Sequence, residues 1–473
     1  MAFHTLSRDL PQIPPVFDAT PKSLLGDARS LVERTQKVWE DIVKEVTTES
    51  ATFENAIKPS IDDENSRLNS IRILKFYAST SPSRALRDAS SAIGTIFTDS
   101  EVDLFSRTDI FALVNAVVIR ESKGNVLDAE SRNYLEKLHL KFKQNGCGIT
   151  DPTLKLRFAE CQKRLKDLER QCNQNLHEEK AGLWLTHEEL EGVPSSLMSR
   201  YKQGEGEFDG YFWVATKVPQ SSPVMKHATK ENTRKKMLYA IQNRMPENVT
   251  LFKELVLLRD ETARILGYPN HAALKMANKM VKQPEIVESF LSEIRTRLIP
   301  RGAAYAGELL DLKRKDIATQ GTASDQIYLW DQSYYAHLLD ETQETPDTAV
   351  SEYFELFTTL RKLLQMFEHL FATRFELITQ ENQYELGNGK PLIWHEDVLM
   401  FGVFNSESED FMGYAYFDFY PREGKYTHVG HYSLQPVSFV HRIDAIASRT
   451  YDASRRISCS KMEAVIMHLQ SWS

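Results

Sequence analysis

Thirteen histidines are the first residues in this chain that could do chemistry. Three of them precede a glutamate, in His177-Glu178, His187-Glu188 and His395-Glu396. Each pair opens like His-Glu-x-x-His, in which two imidazoles at i and i+4 reach one zinc from the same helix face while the glutamate deprotonates bound water. The fourth-following residues are Ala181, Glu191 and Leu399, so no pair is completed. The expectation for each is a solvated or structural histidine beside an ordinary glutamate. In Thr427-His428-Val429-Gly430-His431 the odd separation sends the two imidazoles to opposite faces of a strand, and sharing a metal would need a turn or bulge. One histidine of this strand contacting a ligand is the simpler use.

Other reaction classes leave weaker traces. Gly387-Asn388-Gly389-Lys390 lacks the earlier glycine and the following Ser or Thr of a phosphate-binding loop, and Pro391 follows where a helix should open, so a turn is expected. No Gly-x-Ser-x-Gly occurs. Glu407, Glu409 and Asp410 read as a solvated acidic connection, and Trp330-Asp331-Gln332-Ser333-Tyr334-Tyr335 as aromatic core packing. The four cysteines, Cys147, Cys161, Cys172 and Cys459, have no Cys-x-x-Cys spacing, which points to a reducing compartment and hence the cytosol.

The elements that must position these residues are mainly helical in the first half. After Thr20-Pro21, a cap and first-turn pair, apolar residues at Leu24, Ala28, Leu31, Val38, Trp39 and Ile42 keep three-and-four spacing. After Asp151-Pro152 a second stripe holds Leu154, Phe158, Cys161, Leu165, Leu168 and Cys172, making both cysteines small core hydrophobes. Near residue 200 glycine-rich turns and Tyr211-Phe212-Trp213-Val214 predict a short strand or hairpin ending at Pro219. Helices return from Lys235 to about Leu312, with Gly267 as a C-cap. From 391 to 434 strands are expected, Trp394 to Asp397 included. Ala415, Phe417 and Phe419 share one face and Tyr414, Tyr416, Asp418 and Tyr420 the other, up to the turn at Pro421 to Gly424.

Composition sets outer limits. A chain of 473 residues suffices for two or three domain-sized units. A net charge of −8 argues against a general nucleic-acid binder. No stretch approaches about 18 uninterrupted apolar residues, so no membrane span is expected.

Gly267-Tyr268-Pro269-Asn270-His271-Ala272, Trp330-Asp331 with Tyr334-Tyr335, Trp394-His395-Glu396-Asp397-Val398 and Phe417 to Tyr426 occur in one order along the chain. Together they resemble the thimet oligopeptidase family, neurolysin and saccharolysin among its members, over nearly all of residues 1–436. The resemblance implies a mainly α, two-lobed zinc metallo-oligopeptidase fold with a small β region beside a deep channel. It also implies cleavage of short peptides at internal bonds, zinc as cofactor, and a cytoplasmic monomer that binds neither nucleic acid nor membrane. The implied division is a helical domain at 1–205 and the N-terminal part of the catalytic region at 206–436. Residues 437–473 are expected to be a divergent tail from a shifted frame, a retained intron or a mistaken gene model.

The family's zinc helix lies beyond the segment matching Pro436. No catalytic or metal-binding residue is therefore carried over, and the chain is expected to be truncated before that helix and inactive as given. Tyr426, His428 and Gly430, in the segment resembling the strand beside the family's cleft, are the substrate-binding candidates, by backbone pairing with an extended peptide. His428 matches the family pattern and His431 departs from it. The alternative is a non-catalytic helical protein that binds peptides or a partner.

Overall fold

The computed structural model describes residues 3–6, 10–124, 127–320, 326–343, 353–426, 430–435 and 466–467. Its helices dominate, with two small sheets among the described residues. Met1–Cys147 with Glu355–Ser473 forms one compact unit and Gly148–Phe354 a second.

The first unit opens with α1 (Pro21–Glu45), α2 (Lys58–Thr80), α3 (Arg84–Ser106), α4 (Thr108–Glu121) and α5 (Ala129–Gln144). A reciprocal cap starts α1 where the sequence predicts it: the Ser23 amide donates to Thr20 Oγ1 at 3.1 Å and the Thr20 amide to Ser23 Oγ at 2.9 Å, with Pro21 in the first turn. Its buried face, Leu24, Ala28, Trp39 and Ile42, feeds two cores. The local one joins Trp39 and Ile42 to Phe53, Ile110, Val114 and Phe142.

The other core depends on residues far along the chain. After α14 (Leu356–Phe371), β4 (Thr373–Leu377), α15 (Gln380–Leu386), β5 (Leu399–Asn405) and β6 (Phe411–Phe417) build an antiparallel sheet. The short β7 (Ile466–Met467) lies parallel to β6. Met400, Tyr414 and Tyr416 pack with Leu24, Ala28 and Phe76, whereas Phe401, Ala415, Phe417 and Phe419 pack with Leu360 and Leu364 of α14. The expected facial split of these residues is observed, but β6 ends at Phe417, before Asp418. Trp394 to Asp397 departs from the strand expectation too: it forms bends and a turn leading into β5. The reason is side-chain anchoring, described below, which holds this run without ladder hydrogen bonds.

In the second unit, α6 (Pro152–Glu178) packs on α10 (Glu247–Ile265) through Leu165, Leu168 and Leu255. Cys161, expected on the apolar stripe, is buried. β1 (Gly182–Thr186), a short helix α7 (Ser195–Met198), β2 (Lys202–Gln203) and β3 (Tyr211–Ala215) follow, with β3 central and Trp184 opposite Trp213. Pro219 opens α8 (Val218–His227), its missing N–H costing nothing in a first turn. Next come α9 (Glu231–Gln242), α10, α11 (His271–Met276), α12 (Pro284–Gln320) and α13 (Leu329–Gln343). Gly267 has φ of +84° and donates its amide to Arg264 just past α10, as its C-cap role requires. The division expected at 205/206 falls inside this unit, between β2 and β3, which the sheet ties together. Of residues 437–473 only Ile466–Met467 is described.

Candidate functional site

The strand β6 delivers Phe417-Asp418-Phe419 into the turn that carries Tyr420 to Tyr426. Asp418 is fully buried, and a carboxylate there is tolerated only if its lone pairs are filled. They are. Trp394 Nε1 donates to Oδ2 at 2.9 Å. Arg422 grips both oxygens, Nη1 to Oδ1 at 2.8 Å and Nη2 to Oδ2 at 2.7 Å. Lys425 Nζ donates to Oδ1 at 2.9 Å and turns its remaining donors to the carbonyls of Asp418 and Tyr420, at 2.9 and 2.7 Å. Burial by itself would raise the Asp418 carboxyl; hydrogen bonds from Arg422, Lys425 and Trp394 outweigh it and hold the pKa at about 2. Burial pulls the Lys425 ammonium below its ordinary value, against the opposing pull of Asp418.

The loop is also fastened to the end of α2. A helix leaves its last carbonyls without intrahelical partners. Here Arg422 Nη2 donates to Thr80 O at 3.2 Å and the Tyr426 amide to Ser79 O at 2.8 Å. Trp394 meanwhile stacks edge-on against Phe76 and Phe17, with ring centroids 4.7 and 5.1 Å away. The two C-terminal motifs are thus halves of one anchor. Arg422 and Lys425 spend their charges inside the protein and are unsuited to gripping a substrate carboxylate.

The loop turns Tyr420, Pro421, Glu423 and Tyr426 outward, the two tyrosines 41% and 48% exposed. Of the three substrate-binding candidates, Tyr426 sits at the end of this latched turn, outside any strand. His428 lies outside the described residues. Gly430 comes within reach of the Tyr432 ring, which is itself 5.3 Å from Phe76, and Ser433 is held by Arg72 of α2. The segment 430–435 therefore lies along α2, with Leu434 buried in the same core as Phe76.

The histidine-glutamate pairs occupy separate settings. His395 Nδ1 faces Asp397 at 3.3 Å within its own turn, and Glu188 pairs with Lys230 in the second unit. The side chain of His177 lies outside the described residues. Among the described residues no three His, Cys, Asp or Glu side chains converge as a metal site. They do not supply the ligand set of a catalytic zinc, and no step through zinc follows from them. The Gly387 to Lys390 segment is a turn closing α15, with Asn388 and Gly389 at φ of +49° and +80°. The acidic residues after Asn405 form the β5–β6 connection, where Asn405 Oδ1 accepts from the amides of Glu407 and Ser408. No helix among the described residues is long and apolar enough to cross a membrane.

The second unit holds a comparable hub that sequence reasoning read as aromatic packing alone. Tyr334 and Tyr335 are indeed buried, but between them and α9 lies Asp331, fully buried and bound by Arg234 at 2.8 Å and Lys313 at 2.6 Å. Arg234 stacks over Tyr334 at 4.2 Å and caps the Ala228 and Thr229 carbonyls. Trp330 Nε1 donates to Glu231 at 3.0 Å. The usable signal was the carboxylate set among aromatics, since a lone Asp in such a run must find cations to be buried.

Residues 224–457 match the family described as Peptidase family M3. That match continues past Pro436, where the resemblance was expected to stop. The chain is 49% identical over 405 residues to Oligopeptidase PhomG' of Diaporthe leptostromiformis, covering 85% of this chain and 33% of that protein. Against Oligopeptidase PhomG of the same organism it is 47% identical, covering 85% and 54% respectively. Saccharolysin of Saccharomyces cerevisiae is 31% identical over 434 residues, covering 90% of this chain and 59% of that protein. The chain thus spans between a third and three-fifths of the length of these relatives. It belongs to peptidase family M3, within the thimet oligopeptidase family.

Proposed function

We propose that this chain supplies the peptide-facing scaffold of a zinc-dependent oligopeptidase that cleaves short peptides at internal bonds in the cytosol. Residues 206–436 form the N-terminal part of the catalytic region, and the protein acts as a monomer. The observation that carries the reading is the Asp418 anchor: the two motifs behind the family resemblance are the residues that fix one loop, and that loop presents Tyr426 outward. Tyr426, His428 and Gly430 meet the extended substrate, with the peptide backbone as the common recognition element.

The zinc pair His-Glu-x-x-His does not occur in the 473-residue sequence. In isolation the chain accordingly binds short peptides without hydrolysing them. The test is to purify it, measure zinc by mass spectrometry and incubate it with a quenched-fluorescent peptide. Expected are no stoichiometric zinc, no cleavage, and weak peptide binding that Tyr426→Ala reduces. Stoichiometric zinc with turnover would overturn the inactivity. Absence of peptide binding would overturn the scaffold reading.

A second reading, a non-catalytic helical protein that binds peptides or a partner, draws support from the completeness of the two charged hubs. Cooperative thermal unfolding of the isolated chain together with peptide binding would favour it.

A further inference from the structure

In the first unit, α1, α2, α3 and α5 line an open cavity of about 390 Å³ that the peptide chemistry leaves unused. Arg67, Ile71 and Lys75 follow one another at four-residue spacing along α2 and line it together. Lys137 and Lys141 do the same from α5. Four cations face two carboxylates, Glu64 and Glu101, so the lining carries an excess of two positive charges on a chain whose net charge is −8.

Those cations are unevenly committed. Lys141 pairs with Glu101, and Glu64 accepts from Tyr134 at 3.2 Å. Arg67 is different. Its side chain is 21% exposed, and its buried Nε lies 3.3 Å from Asp63 Oδ2, its one ionic partner among the described residues, without the alignment of a hydrogen bond. Asp63 is already held by Arg34 at 2.9 Å and by Thr35 at 2.7 Å. A guanidinium offers five donors, and among the described residues Asp63 is the carboxylate that meets them. Lys75 and Lys137 have no carboxylate partner among the described residues; Lys75 lies instead over the Phe97 ring at 5.3 Å. The rest of the lining mixes Thr35, Ser60 and Ser100 with aromatic side chains, Trp39, Phe97, Phe105 and Tyr134.

We propose that this cavity binds an organic phosphate monoester with an aromatic body. The phosphate is close to a dianion at neutral pH, which matches the excess charge, whereas a carboxylate would neutralise half of it. The Arg67 fork suits phosphate oxygens, and Lys75 and Lys137 add point charges from facing helices. The aromatic wall takes the body of the ligand by stacking, which inorganic phosphate would leave unused. The volume falls in the range of small-molecule sites.

The probe is 1-naphthyl phosphate, titrated calorimetrically into the full 473-residue chain. Saturable one-to-one binding is expected, weakening as salt is raised. Arg67→Ala should weaken it about tenfold or more, and so should the double variant Lys75→Ala/Lys137→Ala. Both lysines are exposed, so the double variant should keep the wild-type melting curve. Inorganic phosphate and 1-naphthol should each bind about tenfold or more weakly than the ester. No saturable heat, or unchanged affinity in the correctly folded lysine double variant, would overturn the site. Naphthol or inorganic phosphate binding as tightly as the ester would overturn the ligand class.

Discussion

Arg422 and Asp418, four positions apart where β6 gives way to the loop, meet through two parallel hydrogen bonds of 2.8 and 2.7 Å. The pair is almost entirely out of water, with Arg422 11% and Asp418 0% exposed. Removing one partner of a buried pair leaves the other uncompensated, which typically costs about 3–5 kcal/mol. Asp418→Asn should therefore destabilise the first unit by about that amount in urea unfolding, and an unchanged midpoint would contradict the anchor.

The same carboxylate sets an acid limit. Its folded pKa of about 2 lies below the unfolded value, so its stabilisation is present above about pH 4 and is lost as pH falls through about 2. Wild-type stability should decline across that window by about 2 kcal/mol more than that of Asp418→Asn, read from unfolding at stepped pH.

In the second unit Asp331→Ala should strand Arg234 and Lys313, 1% and 0% exposed. A loss of about 3–5 kcal/mol is expected, seen by hydrogen exchange as faster opening of α8, α9 and α13. Uniform protection in the variant would mean that the hub contributes little.

Gly424 has φ of +79°, and a Cβ there would run into the Arg87 guanidinium. The Arg87 tip can swing aside, but the backbone conformation remains strained for any L side chain. Gly424→Ala should thus cost about 1 kcal/mol, visible as a lower melting temperature. The paired variant Gly424→Ala/Arg87→Ala should recover only the part due to the clash.

Cys161 is 1% exposed and burial raises its thiol pKa, so native protein should leave it unalkylated while denatured protein reacts. Peptide mapping after iodoacetamide treatment checks this, and rapid native labelling would remove it from the α6–α10 interface.

Local signals carried much of this fold. The Thr20-Pro21 cap, the middle of the α6 stripe from Phe158 to Leu168 and the Gly267 stop depend on residues within one or two turns and are placed as the spacing predicts, whereas Leu154 is exposed and Cys172 only half-buried. The alternation of Tyr414 to Phe419 gave the faces but not their burial, because tyrosine reads as half-polar. Tyr416 is nevertheless 0% exposed. The anchor was the hardest part to read. Asp418 looks like a surface carboxylate until Trp394, 24 positions earlier, and the end of α2 are brought to it, and no periodicity encodes such a meeting. For the same reason Trp394 to Asp397 resembled a strand, although side-chain bonds hold it as a turn.

The sheet core has a temporal cost. Tyr414 donates its hydroxyl to the Gln12 carbonyl, 402 positions away, and the second unit is threaded between them in the chain. At about 5–20 residues per second, a ribosome takes roughly 20–80 s to deliver the second partner after the first has emerged. The Trp39–Phe142 core can close early, since its members lie within the first helices. Leu24, Ala28 and Phe76 must wait with an uncovered flank, an interval in which a nascent-chain chaperone would find its target.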